Sequence, residues 1–80
     1  METDAVAKLI RAGIPGAHVE VTGDGSHFEA VVISDSFSDK SPIARQRLVM
    51  ATVKPQIQNG ELHALSMKTF TPEQWADQGS

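Results

Sequence analysis

Eighty residues form a chain near the lower limit of what an unaided hydrophobic core supports. The absence of cysteine excludes both disulfides and thiolate-bound zinc as reinforcement, and the net charge of −3 argues against an indiscriminate nucleic-acid coat. No apolar run approaches the roughly 18 residues that span a bilayer, and Met1-Glu2-Thr3-Asp4 lacks the basic start of a signal peptide, so one cytoplasmic domain over residues 1–80 is expected.

The first helix is predicted from Thr3 to Arg11, where Val6, Leu9 and Ile10 recur at helical spacing before Gly13, Pro15 and Gly16 stop the pattern. His18 to Thr22 reads as a strand with Val19 and Val21 on one face. Gly23-Asp24-Gly25-Ser26 follows as a turn whose Asp-Gly pair suits a tight reversal. Phe28 to Ser34 is the second strand. Phe28, Ala30 and Val32 share one face, Val31 and Ile33 the other, and a strand apolar on both faces belongs in the middle of its sheet.

Ser36 to Lys40 is expected to be a polar connection. Ser41-Pro42 then starts a helix, with a hydroxyl cap and proline at the first helical position. Ile43, Met50, Val53 and Ile57 fall on one apolar stripe with Val49 beside it; Arg45 is expected to project away, and Arg47 and Lys54 to lie near the edge. Pro55 removes a helical donor and clashes with the preceding turn, which predicts either a kink or two successive helices. Asn59-Gly60 closes the segment. Leu62 to Phe70 is the third strand, and Thr71-Pro72-Glu73-Gln74 is a capping box opening a last short helix, whose Trp75 is expected to fold back onto the domain.

The first two strands should pair antiparallel through the Asp-Gly turn. The third, separated by a helical segment, suits a right-handed crossover to a parallel neighbour. The expectation is an α+β domain of order αββααβα, with a three-stranded mixed sheet and helices packed on one face.

Chemistry-bearing patterns are sparse. No Gly-x-Ser-x-Gly elbow frames a serine, and the 23–27 segment lacks the lysine and glycine spacing of a phosphate-binding loop. A nucleophile with its base is the minimum for covalent hydrolysis, and no such arrangement is legible, so no enzyme is expected. His18, His27 and His63 do not follow a metal-binding spacing, yet imidazole is a common ligand for iron and zinc. His27 and His63 could converge if the hairpin tip and the third strand were neighbours. Lys40, Arg45, Arg47 and Lys54 are four of the seven basic residues, and no acid lies between positions 40 and 54. That interval is either a solvated helix face or a local positive patch.

Three stretches carry a family resemblance. Phe37-Ser38-Asp39-Lys40-Ser41-Pro42-Ile43-Ala44-Arg45-Gln46-Arg47-Leu48-Val49 resembles the BolA pattern of a phenylalanine, a short loop, a basic-rich helix start and an arginine-x-arginine. Gly60-Glu61-Leu62-His63-Ala64-Leu65-Ser66-Met67-Lys68-Thr69-Phe70-Thr71-Pro72-Glu73-Gln74-Trp75 is similar to the family's most specific stretch, in which a histidine-alanine pair opens the last strand. Gly23-Asp24-Gly25-Ser26-His27-Phe28 resembles the loop of many bacterial members. Gln46 stands where many members carry histidine, which points to the IbaG-like bacterial branch.

The resemblance implies a fold related to the class II KH domain. It also implies a cytosolic partner, a monothiol glutaredoxin, sharing a [2Fe–2S] cluster to which glutaredoxin and its glutathione give thiolates and the BolA side gives imidazole. By position, His63 matches the usual ligand and His27 the loop ligand; no cluster is expected in the isolated chain, which would be a monomer or a heterodimer with glutaredoxin. The alternative is a DNA-binding transcriptional or stress-response regulator using Lys40, Arg45, Arg47 and Lys54. Against it, the Gly-x-x-Gly loop with which KH domains grip a backbone is absent between Pro42 and Gly60.

Overall fold

The computed structural model describes residues 1–79. In chain order the elements are α1 (Thr3–Gly13), β1 (His18–Gly23), β2 (His27–Ile33), a 3-10 turn over Asp35–Phe37, α2 (Pro42–Thr52), α3 (Lys54–Gln58), β3 (Ala64–Phe70) and α4 (Pro72–Gly79). The sheet order is β1-β2-β3, with β1 antiparallel and β3 parallel to β2, the mixed α+β arrangement that the element order predicts. Among the described residues, no helix is long and apolar enough to cross a membrane.

Strand alternation explains where the core lies. Phe28, Ala30 and Val32 of the central strand are buried, and they meet Val6 and Ile10 from α1 and Val49 and Val53 from the α2 segment in one apolar cluster. Burying each large aliphatic or aromatic side chain contributes about 1.5–3 kcal/mol. The opposite face is polar: Glu20, Thr22, His27, Glu29, Ser66 and Lys68 alternate with the core positions and are exposed. At the far end of that polar face, Trp75 of α4 packs against Phe70, ring centroids 5.3 Å apart and planes tilted by 57°. The ring is less covered than expected, remaining 38 % exposed.

Three local expectations need correction. The connection after β2 is not simply polar: its 3-10 turn inserts Phe37, which is completely buried, into the core. The Oγ of Ser34 accepts from the Ser36 amide at 3.0 Å and sets that turn. Helix α2 is rotated from the expected stripe, so that Val49 and Arg45 are its buried residues while Ile43 is 62 % exposed. The third strand begins at Ala64 rather than Leu62, because the Leu62 amide donates to the Gln56 carbonyl at 3.0 Å.

Other features follow their local chemistry. Ser41 Oγ accepts from the Ala44 amide at 3.2 Å and caps α2. At Lys54-Pro55 the chain forms two successive helices, one of the two foreseen outcomes, with Val53 as the joint. The capping box of α4 is reciprocal: the Thr71 amide donates to Gln74 Oε1 at 2.9 Å, and the Gln74 amide donates to Thr71 Oγ1 at 3.2 Å.

Candidate functional site

The hairpin between β1 and β2 is built to hold His27. Asp24 Oδ1 accepts from the amides of Ser26 and His27, both at 2.9 Å, and the Asp24 amide donates to the His27 carbonyl at 3.3 Å. Gly25 has φ +99°, where a side chain would be strained. Gly23 is required for a different reason: a Cβ there would lie 2.6 Å from both the His27 carbonyl oxygen and Phe28 Cδ1. His27 thus enters β2 with its backbone fixed by the turn and its imidazole exposed.

The amides of His27 and Ser26, in that order of effect, hold the Asp24 carboxyl below the ordinary aspartate value of 3.8. A lowered folded-state pKa stabilises the ionised form, so this contribution is present above the unfolded value and disappears as pH falls through the lowered one. Hydrogen exchange at the Ser26 and His27 amides should therefore accelerate as pH is taken below the ordinary aspartate range, after correction for intrinsic rates. Asp24→Ala should show the faster exchange already at neutral pH. Equal protection in both proteins at neutral pH would remove Asp24 as the organiser of the tip.

His63 is positioned from the other side of the sheet's central pairing. The chain leaves α3 through a reciprocal pair, the Asn59 side-chain amide donating to Glu61 Oε1 and the Glu61 amide donating to Asn59 Oδ1, each at 2.9 Å. Leu62 is then buried in the core and Ala64 enters β3. His63 is held between these two anchors, exposed and outside the strand, where face alternation no longer dictates its direction.

The parallel register of β2 and β3 places His27 directly opposite Ala64. Strands lie about 4.8 Å apart and successive Cα atoms about 3.8 Å, so the Cα atoms of His27 and His63 lie within about 9 Å of each other. The two expected ligand positions are therefore neighbours at one end of the sheet. His18 pairs with Ile33 at the opposite end, and its Nε2 lies 3.1 Å from Glu20 Oε2 on the exposed edge strand. Among the described residues, no group of three or more His, Cys, Asp or Glu is arranged to hold a metal ion. Two imidazoles could supply part of a ligand set, with the remaining ligands coming from another molecule.

The four basic residues do not form one patch. Arg45, expected to project outward, is buried: its Nε donates to the Lys40 carbonyl at 3.0 Å and Nη1 donates to Gln74 Oε1 at 2.8 Å. The guanidinium also lies over the Phe37 ring, 5.7 Å from its centroid. Lys40 is half-buried with its Nζ 3.4 Å from Asp39. Arg47 and Lys54 are exposed and share a groove on the outer side of the α2–α3 segment.

The α+β topology is that of a known class. The family model described as BolA-like protein matches residues 11–74, and the chain belongs to the BolA family. Within that family it lies on the IbaG-like bacterial branch: it is 30% identical over 76 residues to the acid stress protein IbaG of Escherichia coli K12, covering 95% of this chain and 90% of that protein. The BolA-like protein 2 of Saccharomyces cerevisiae is 42% identical over 72 residues, covering 84% of this chain and 58% of the yeast protein. A BolA protein homologue from Coxiella burnetii has the same fold, with a TM-score of 0.86, 35% identity, and coverage of 95% of this chain and 97% of that one.

Proposed function

We propose that this chain is a non-enzymatic adaptor that partners a monothiol glutaredoxin and lends imidazole, from His63 and His27, to a [2Fe–2S] cluster held between the two proteins. The observation that carries this reading is the register pairing of His27 with Ala64, which puts two exposed histidines at nearby backbone positions in a chain without thiols. An iron–sulfur cluster of this kind takes four protein-side ligands, and the donor set here fits part of that number. The remaining ligands would be thiolates from the partner and its bound glutathione. Imidazole in place of thiolate lowers the negative charge around the iron and raises the reduction potential. Such a partner places the adaptor in the cytoplasm, as a monomer until it meets glutaredoxin. The name of the IbaG relative makes acid stress the growth condition in which to look for its role.

The test is reconstitution. Mixing the chain with a monothiol glutaredoxin, iron, sulfide and glutathione should give a visible circular dichroism spectrum distinct from that of glutaredoxin alone. A spectrum identical to that of the glutaredoxin control would end the proposal.

The DNA-binding alternative is weakened by the position of Arg45 and Lys40, which leaves Arg47 and Lys54 as its exposed cations. Each lost phosphate contact would lower the salt slope of binding by about 0.9. The expected result is negligible duplex affinity at physiological salt, unchanged by Arg47→Ala or Lys54→Ala. Tight, salt-steep binding abolished by those substitutions would instead favour the regulator.

A further inference from the structure

We propose that the outward face of α2 and α3 is a docking groove for a protein segment that presents apolar side chains flanked by carboxylates. The inference rests on the adaptor reading above and assigns this groove to the same thiol-donating partner.

The rotation of α2 supplies the first ground. With Val49 and Val53 turned into the core, the remaining apolar residues of the segment have no full cover. Ile43 is largely exposed, Met50 and Ile57 are half-buried, and Ala51 is exposed. Steps of four and three residues place Ile43, Arg47 and Met50 along one row of α2, and Lys54 opens α3 just beyond the Val53 joint. Arg47, Met50, Ala51, Lys54 and Ile57 line a single shallow groove. Its floor is apolar, and its rim carries two cations.

Charge gives the second ground and selects the occupant. The chain carries a net charge of −3, yet no acid occurs between positions 40 and 54. Among the described residues the ion pairs are His18–Glu20 and Lys40–Asp39, so neither Arg47 nor Lys54 is committed to one. Duplex DNA would reward the cations through its phosphates but leave the apolar floor unused. A segment with apolar side chains between carboxylates uses both. A buried apolar centre would then supply the affinity, and the rim charges the encounter rate and its salt dependence.

Continuity is the third ground. Ile57 lies on α3, whose Gln56 carbonyl accepts from the Leu62 amide, and Leu62 precedes His63. A partner seated in the groove therefore abuts the segment that delivers His63 to the end of the sheet.

The probe is a monothiol glutaredoxin free of iron and sulfide, titrated calorimetrically against the full chain. Ala51→Glu is the informative variant: the position is exposed and glutamate is a good helix former, while the new carboxylate would face the partner's acids. Binding should weaken at least tenfold in Ala51→Glu and stay within twofold of the original in His18→Ala, an exposed position at the opposite end of the sheet. Amide NMR shifts in the unmodified chain, on adding the same probe, should be largest at Met50, Ala51 and Ile57, which tests the groove without relying on any variant. Undiminished binding by a folded Ala51→Glu, or shifts confined to another surface, overturns the groove. If the mixed cluster still forms in that case, the adaptor reading stands alone; if the unmodified chain forms no mixed cluster, both fall. Competition by duplex DNA that depends on Arg47 and Lys54 but not on Met50 would assign the face to phosphate. Self-association abolished by Ala51→Glu would assign it to a second copy.

Discussion

His63→Ala should abolish the mixed-cluster spectrum, returning the visible circular dichroism of the reconstituted pair to that of glutaredoxin alone. The residue is exposed, so its truncation should alter folding stability by no more than about 0.5 kcal/mol. Loss of the spectrum with an unchanged thermal melt therefore reports on ligation rather than on folding. Leu62 and Ala64 keep their places in the core and the strand whatever occupies position 63, so the variant removes a donor and little else.

His27 makes the contrast informative. His27→Ala should yield a weaker spectrum and faster loss of iron to a chelator, because one of the two proposed imidazole donors is gone. His27→Cys should retain a cluster with shifted bands, since a thiolate can replace imidazole at that position while increasing the negative charge. If His27→Ala behaves as the original while His63→Ala is inactive, the two-imidazole arrangement reduces to one. If neither substitution alters the spectrum, the histidine end of the sheet is not the site.

Features dictated by neighbours in sequence were the legible ones. The Gly23-Asp24-Gly25 reversal, the Ser41-Pro42 helix start, the break near Pro55 and the Thr71–Gln74 box each depend on interactions within a few residues, and each takes the expected form. The environment of Arg45 was not legible, because Gln74 stands 29 positions away and the Phe37 ring arrives on a turn with no periodic pattern. Helical periodicity prefers Ile43 to Arg45 for burial, and it fails here because a guanidinium supplied with partners can occupy an interior position. Phe37 was hidden for a related reason: one aromatic among serines and aspartates produces no stripe. The histidine pair lay between these extremes. Its two positions could be singled out, but their proximity is a property of the parallel β2–β3 register, which no local spacing encodes.

Arg45→Ala should be the most damaging single substitution among the four basic residues, lowering stability by about 2–4 kcal/mol. Hydrogen bonds to a charged group contribute about 1.5–3 kcal/mol each, and truncation would leave the Lys40 carbonyl without this donor inside a partly buried site. Gln74 Oε1 would keep its bond from the Thr71 amide but lose its tie to α2, so α4 should fray with it. For a domain of this size, about 1 kcal/mol corresponds to a shift of 4–8 °C, which predicts a fall in melting temperature on the order of 10–25 °C. Arg47→Ala, at an exposed position, should stay within about 0.5 kcal/mol. Arg45→Lys should recover only part of the loss, because an ammonium lacks the planar fork that reaches Lys40 and Gln74 together. Thermal unfolding of the three variants side by side gives the ranking, and equal melting temperatures for Arg45→Ala and Arg47→Ala would remove Arg45 as the clasp between α2 and α4. The ranking also governs how nucleic-acid experiments are interpreted: a loss of DNA binding in Arg45→Ala would reflect damage to the fold, whereas Arg47 and Lys54 can be changed with the core intact.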